Sequence, residues 1–170
     1  MLTKTTISAI RVLVYLGVRS GSDPISPKRL AEELGESPSY LAKVMRLLVK
    51  AGILRAHFGA NGGVVLHRSP ETISLFNITE ACQGAILTNL CAETADLSRA
   101  CAFHQAGSEL HQAIVDVMSR WTLADFVRNP SPSSHCDERI RCWMKPKTQV
   151  VLSGRTRSSR KSKKTAAKSR

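Results

Sequence analysis

The stretch Ser26-Pro27-Lys28-Arg29-Leu30-Ala31-Glu32-Glu33-Leu34-Gly35, followed at once by Glu36-Ser37-Pro38-Ser39-Tyr40-Leu41-Ala42-Lys43-Val44-Met45-Arg46-Leu47-Leu48-Val49-Lys50-Ala51-Gly52, decides the fold. Ser26 before Pro27 suits an N-cap with proline in the first helical position. Gly35 ends that helix, because glycine takes the left-handed conformation of a helix end at little cost. Ser37 or Ser39 then caps a second helix, with Pro38 near its first turn, and Gly52 stops it. Ala31 on the first helix and Leu41, Val44 and Leu48 on the second supply the core contacts. Two short helices joined by a tight glycine turn predict a helix-turn-helix. Any packed helix pair gives similar spacing, so the flanking sequence has to decide.

Downstream, Ile53-Leu54-Arg55-Ala56 and Val64-Val65-Leu66-His67 read as two short strands. Gly59-Ala60-Asn61-Gly62-Gly63 lies between them. A glycine-rich tip between strands, directly after the second helix, predicts a wing whose backbone approaches a groove closely. Upstream, Ile7, Ile10, Leu13, Val14 and Val18 recur at helical spacing and predict a helix over 5–19, ended by Gly21-Ser22-Asp23-Pro24. Ile73 to Cys82 begins as a strand or linker and passes into a short helix that Gly84 ends. Leu110, Ala113, Ile114, Val117 and Trp121 predict a long helix over about 103–127. Such a helix after a compact domain is suited to pair with its equivalent in a second copy. Pro130-Ser131-Pro132-Ser133-Ser134 breaks the pattern, and about 145–170 reads as disordered. The fold class is therefore mainly α with a small β-hairpin wing: a winged helix-turn-helix plus a long C-terminal dimerisation helix. The expected division is 1–85 for the DNA-binding domain, 86–128 for a sensory loop and dimerisation helix, and 129–170 for a linker and basic tail.

The net charge of +12 is unevenly spread over the 170 residues. Residues 1–60 carry nine Lys/Arg and four Asp/Glu, residues 61–140 five and nine, and residues 141–170 eleven and none. The tail makes the chain strongly basic, but the informative excess is the +5 of the first sixty residues, because it sits on the motif. The tail reads as a solubilising extension or as an arm attracted to phosphate. No run approaches the ~18 apolar residues of a membrane span. Without a signal-peptide pattern at its start, the chain is expected to be cytoplasmic with no membrane partner. No phosphate loop, nucleotide fingerprint or nucleophile motif is present, and the histidines lack metalloprotease spacing, so an enzyme is not expected.

DNA binding takes affinity from phosphate contacts and specificity from base edges. Lys28, Arg29, Lys43, Arg46 and Lys50 supply cations on or beside the motif. Ser37, Ser39 and Tyr40 lie where backbone N–H groups and hydroxyls at a helix start bind phosphate. Lys43 is the leading candidate for a guanine edge. Gly59, Asn61, Gly62 and Gly63 form the wing tip, where Asn61 reads the minor groove or holds a turn.

The five cysteines, Cys82, Cys91, Cys101, Cys136 and Cys142, are odd in number and argue against a disulfide framework. Cys101 and His104 stand one helical turn apart, and Cys91 lies across the preceding loop. These three are candidate metal ligands, with a fourth from Cys82, Glu93 or a partner subunit. A thiol redox switch and purely structural cysteines are the other readings. Cys82, inside an apolar helix, reads as a small buried residue.

Lys28-Arg29-Leu30-Ala31, Ser39-Tyr40-Leu41-Ala42-Lys43, Leu48 to Leu54, Gly59 to Val64, Ile73 to Cys82 and Trp121-Thr122-Leu123-Ala124-Asp125 together resemble the Rrf2 family of bacterial regulators over about residues 1–128. The resemblance implies a homodimer on a partly palindromic operator, with the helix at 39–51 in the major groove and the wing in the adjacent minor groove. It also implies a regulator, a repressor in the simplest reading, tuned by an iron–sulfur cluster or by cysteine redox state. The sequence departs from the family pattern in three places. The loop has Cys91 and Cys101 with no third cysteine between them, Phe58 stands where some relatives place an arginine, and the region near Ile7 lacks an acidic ligand. The alternatives are a regulator without a metal cofactor and a winged-helix protein-interaction module.

Overall fold

The computed structural model describes residues 2–19, 23–59, 62–86, 101–130 and Met144. The readings of Asn61, Cys91, Glu93, Cys136, Cys142 and the basic tail fall outside the described residues.

Helix α1, Lys4–Val18, is capped by Thr3, whose hydroxyl accepts from the Thr6 N–H. Its buried face is wide: Ala9, Val12 and Leu13 are fully enclosed. Helices α2, Pro27–Leu34, and α3, Pro38–Lys50, follow with Ser26 and Ser37 as N-caps. Of the two serines considered for α3, Ser37 is the cap, accepting from the Tyr40 N–H at 3.3 Å. Both helices end in a six-to-one backbone bond around a left-handed glycine. Glu36 N donates to Ala31 O past Gly35 (φ 63°), and Ile53 N donates to Leu48 O past Gly52 (φ 68°).

That second closure moves the hairpin by one residue from the sequence expectation. Ile53 is still part of the helix end, so β1 is Leu54–His57, antiparallel to β2, Gly63–Leu66, with Leu54 opposite Leu66 and His57 opposite Gly63. Ile25, just before α2, bridges to Val64 through two backbone bonds of 2.9 and 3.1 Å. The hairpin is thereby fastened to the helix-turn-helix.

A short 3-10 turn, Pro70–Thr72, leads to α4, Leu75–Gln83, which Ser74 and Asn77 start with a reciprocal capping box. Helix α5, Ala102–Arg120, is shorter than the expected 103–127. The chain extends at Trp121 and restarts as α6, Leu123–Arg128. Two effects break the helix there. Thr122 and Asp125 form a second capping box, and the Ile73–Leu75 backbone captures the extended segment: Leu75 N donates to Trp121 O at 2.8 Å and Leu123 N donates to Ile73 O at 2.7 Å. Leu123 is thereby buried, and α6 packs on α1. The core is aliphatic, with Leu13, Leu30, Leu41, Leu48, Ile53, Ile73, Ile78 and Leu123 at its centre.

Candidate nucleic-acid interface

Helix α3 has two faces. Leu41, Val44, Met45 and Leu48 are buried, at the three- and four-residue spacing of one helical side. Ser39, Lys43, Arg46 and Lys50 repeat the same spacing and are all exposed. The helix thus presents one hydroxyl and three cations as a continuous stripe. Ser37 and Ser39 are exposed at its N-terminus, although the Ser37 hydroxyl already serves the cap. Lys28 and Arg29 are exposed at the start of α2.

Tyr40 behaves differently from the expectation. Its ring packs on the core, its hydroxyl is buried, and Lys4 Nζ lies 5.3 Å from the ring centre. The side chain is turned inward, so its hydroxyl is not presented for a phosphate contact, and what faces outward is its neighbourhood of cations.

The charge around this stripe is one-sided. From Ser37 to Pro70 the chain carries Lys43, Arg46, Lys50, Arg55 and Arg68 and no acidic residue at all. A stretch of this sign attracts a polyanion.

The hairpin glycines divide by role. A Cβ on Gly63 would stand 2.4 Å from the backbone of Ile25, so its bare backbone serves the bridge that fastens the hairpin. A Cβ on Gly62 would stand 2.6 Å from His57 O, within the tip itself. Both glycines thus have an internal steric reason to lack a side chain, beside the close approach to a groove that the sequence predicts. Gly59, at φ 108°, has open space around it. Beside it, Phe58 is 97% exposed.

One buried ion pair escaped the sequence reading. Arg11, 6% exposed on α1, donates to Glu36 Oε1 at 2.8 Å and to Leu34 O at 2.7 Å. Ser8 Oγ donates to the same Glu36 oxygen at 3.2 Å. Glu36 is the residue between the two helices of the motif, so α1 grips the turn that aims α3. The signal was available: an arginine within the apolar run Ile10 to Val14 needs an acid partner once buried.

Of the metal candidates, Cys101 is exposed as the N-cap residue of α5 and His104 is half-buried one turn later. Among the described residues no group of three or more His, Cys, Asp or Glu side chains is placed to hold a metal ion. The described donors do not make up the ligand set of an iron–sulfur cluster, which needs four. Burial pushes the Cys82 thiol up to about 11, so this cysteine stays protonated at neutral pH.

An exposed apolar stripe runs along α5 beside its buried residues. Ile114 and Met118 are buried, while Phe103, Leu110, Val117 and Trp121 are exposed. Phe103, Leu110 and Val117 are spaced by seven, the repeat of a helix seam. No helix among the described residues is long and apolar enough to cross a membrane.

Residues 2–129 match the Rrf2 family, described as an iron-dependent transcriptional regulator. The chain belongs to the Rrf2 family. Solved structures agree with this. A transcriptional regulator of Listeria innocua is 27% identical at a TM-score of 0.62, covering 82% of this chain and 94% of the other. Staphylococcus aureus CymR is 26% identical at 0.58, covering 76% and 100%. T. potens IscR, 23% identical at 0.61 and covering 81% and 93%, shares the fold. The winged-helix architecture is that of these structures. The family is one of transcriptional regulators, not enzymes, and the Listeria innocua protein is likewise described as a transcriptional regulator.

Proposed function

We propose that this Rrf2 regulator binds duplex DNA as a homodimer and represses by occupying a partly palindromic operator. The observation that carries this reading is the exposed stripe of Ser39, Lys43, Arg46 and Lys50 on a helix whose opposite face is locked in the core. Each α3 lies in the major groove, with Lys43 donating to a guanine edge and Arg46, Lys50, Lys28 and Arg29 on phosphates. Ser37 and Ser39 bring the N-terminal N–H groups of α3 to the backbone. The tip from Gly59 through Asn61 to Gly63 lies over the neighbouring minor groove.

Dimerisation rests on the apolar face of α5. Phe103, Leu110, Val117 and Trp121 account for four of the seven exposed large apolar residues among those described. An isologous two-fold pairing of this face places two α3 helices on one duplex, and the operator inherits the same symmetry. The regulatory input is assigned to Cys91, Cys101 and His104, through an iron–sulfur cluster or through thiol oxidation. Supporting this input are the exposure of Cys101 and its position at the head of the dimer helix.

The test is a selection of random duplexes by the full chain, followed by titration of the enriched sequence across salt. A palindromic enriched sequence with affinity falling steeply as salt rises supports the reading. Failure to enrich any sequence overturns it. An anaerobic absorption spectrum of the wild type and of Cys101→Ala separates a cluster from a redox thiol.

A further inference from the structure

We infer that Phe58 is an apolar wedge, inserted from the wing into the minor groove of duplex DNA and stacked against an opened base step. This rests on the DNA-binding reading above and names the chemistry of its wing contact.

Phe58 is 97% exposed, more than any other large apolar side chain described, and it sits where the core has ended. The strand ladder closes with His57 opposite Gly63, and Ile25 lies against the hairpin at Gly63 and Val64. Phe58 is therefore the first residue of the tip. Gly62 N donates to Gly59 O at 2.9 Å, which folds the tip back tightly. Gly59 and Gly62 have no side chains, so among the described tip residues Phe58 is the one that carries a side chain to the outside. The exposed phenyl ring gives the hairpin no packing, so its whole face is open to a partner.

The charge of the segment that carries it points to what that is. Phe58 stands in the middle of the acid-free stretch, between Arg55 on β1 and Arg68 beyond β2, with Lys43, Arg46 and Lys50 on the preceding helix. An apolar protein patch would have to desolvate these cations, and charged residues are depleted from the cores of protein interfaces. Duplex DNA satisfies both features at once. Phosphates take the cations, and a base face takes the ring, as apolar wedges from minor-groove proteins do when they unstack a base step and bend the duplex.

This contact has a signature that a phosphate contact lacks. A phenyl ring releases no counterion, so its share of the affinity is independent of salt. The full chain is titrated with its selected duplex over a range of salt, and thymine reactivity to permanganate reports unstacked steps. Phe58→Ala is expected to weaken binding about tenfold, as loss of an aromatic–base stack does. It is expected to leave the salt slope unchanged and to abolish a permanganate-reactive step seen with wild type. Phe58→Leu, which keeps an apolar wedge, is expected to retain that step. An alanine variant with wild-type affinity and an unchanged reactivity pattern overturns the inference, and so does a loss accompanied by a shallower salt slope. Both of those results leave the enriched operator, and with it the DNA-binding reading, intact. Failure of the wild type to enrich any duplex removes both. Far-UV circular dichroism of the variants shows that the fold is kept.

Discussion

Arg11 on α1 and Glu36 in the helix-turn-helix turn meet at 2.8 Å in the interior, twenty-five residues apart in sequence. The second guanidinium nitrogen reaches the Leu34 carbonyl, one of those left open by the end of α2. One side chain thus secures the end of one helix of the motif and the approach to the other.

Both partners are more than nine-tenths buried, so removing one strands a charge. Arg11→Met or Glu36→Leu alone is expected to cost roughly 3–5 kcal/mol, as breaking a buried ion pair does. The double variant recovers most of that loss, because neither charge remains. Its operator affinity stays low, since the turn is no longer held. Urea unfolding and duplex titration of all three variants check this; equal stability in wild type and single variants would dismiss the lock.

Lys43 and Arg46 share the exposed stripe of α3. Arg46→Ala is expected to weaken binding to all duplexes alike and to lower the salt slope by about one, the mark of a lost phosphate contact. Lys43→Ala is expected to reduce discrimination between the operator and a variant with the guanine replaced. Fluorescence anisotropy with matched duplexes measures both. The opposite assignment is read directly if Lys43→Ala changes only the slope.

Leu110 and Val117 are about half exposed and lie seven residues apart on α5, beside the buried Ile114 and Met118. Leu110→Glu with Val117→Glu is expected to yield a folded monomer, because the carboxylates meet water in the single chain and an apolar seam in a dimer. Sedimentation velocity gives the mass, and circular dichroism confirms the helices. A dimer that persists places the two-fold interface elsewhere.

Cys82 and Cys101 differ in reach. The Cys101 thiol is exposed, whereas Cys82 is half-buried with its pKa pushed to about 11 by burial. Alkylation of the native protein at pH 7.5 is expected to label the exposed Cys101 and spare Cys82, mapped by peptide mass. The raised value fixes the sign of the pH effect. The stability from burying Cys82 as a thiol is complete below the unfolded value of about 8.5 and is lost as pH rises toward 11. Cys82→Ala should flatten that decline in urea midpoints.

The helix-turn-helix and the hairpin were legible in the sequence because their signals are local. Ser26-Pro27, Ser37-Pro38, Gly35 and Gly52 start and stop helices through bonds to residues at most five positions away. The spacing of Leu41, Val44 and Leu48 set one side of α3 inward, and the cations followed on the other. Burial, pairing and close approach join residues far apart in the chain, and these only the tertiary structure decided. The apolar period from Leu110 to Trp121 gave no sign that Ile73 and Leu75 would capture the backbone and end α5 at Arg120, although Thr122 and Asp125 did carry the restart signal. Nothing near Gly63 in the sequence announced that Ile25 would lie against it. Nothing local to Arg11 named Glu36 as its partner. Periodicity and capping are properties of a few consecutive residues, whereas the partner of a buried charge or a bare backbone is chosen by where the whole chain brings its distant parts together.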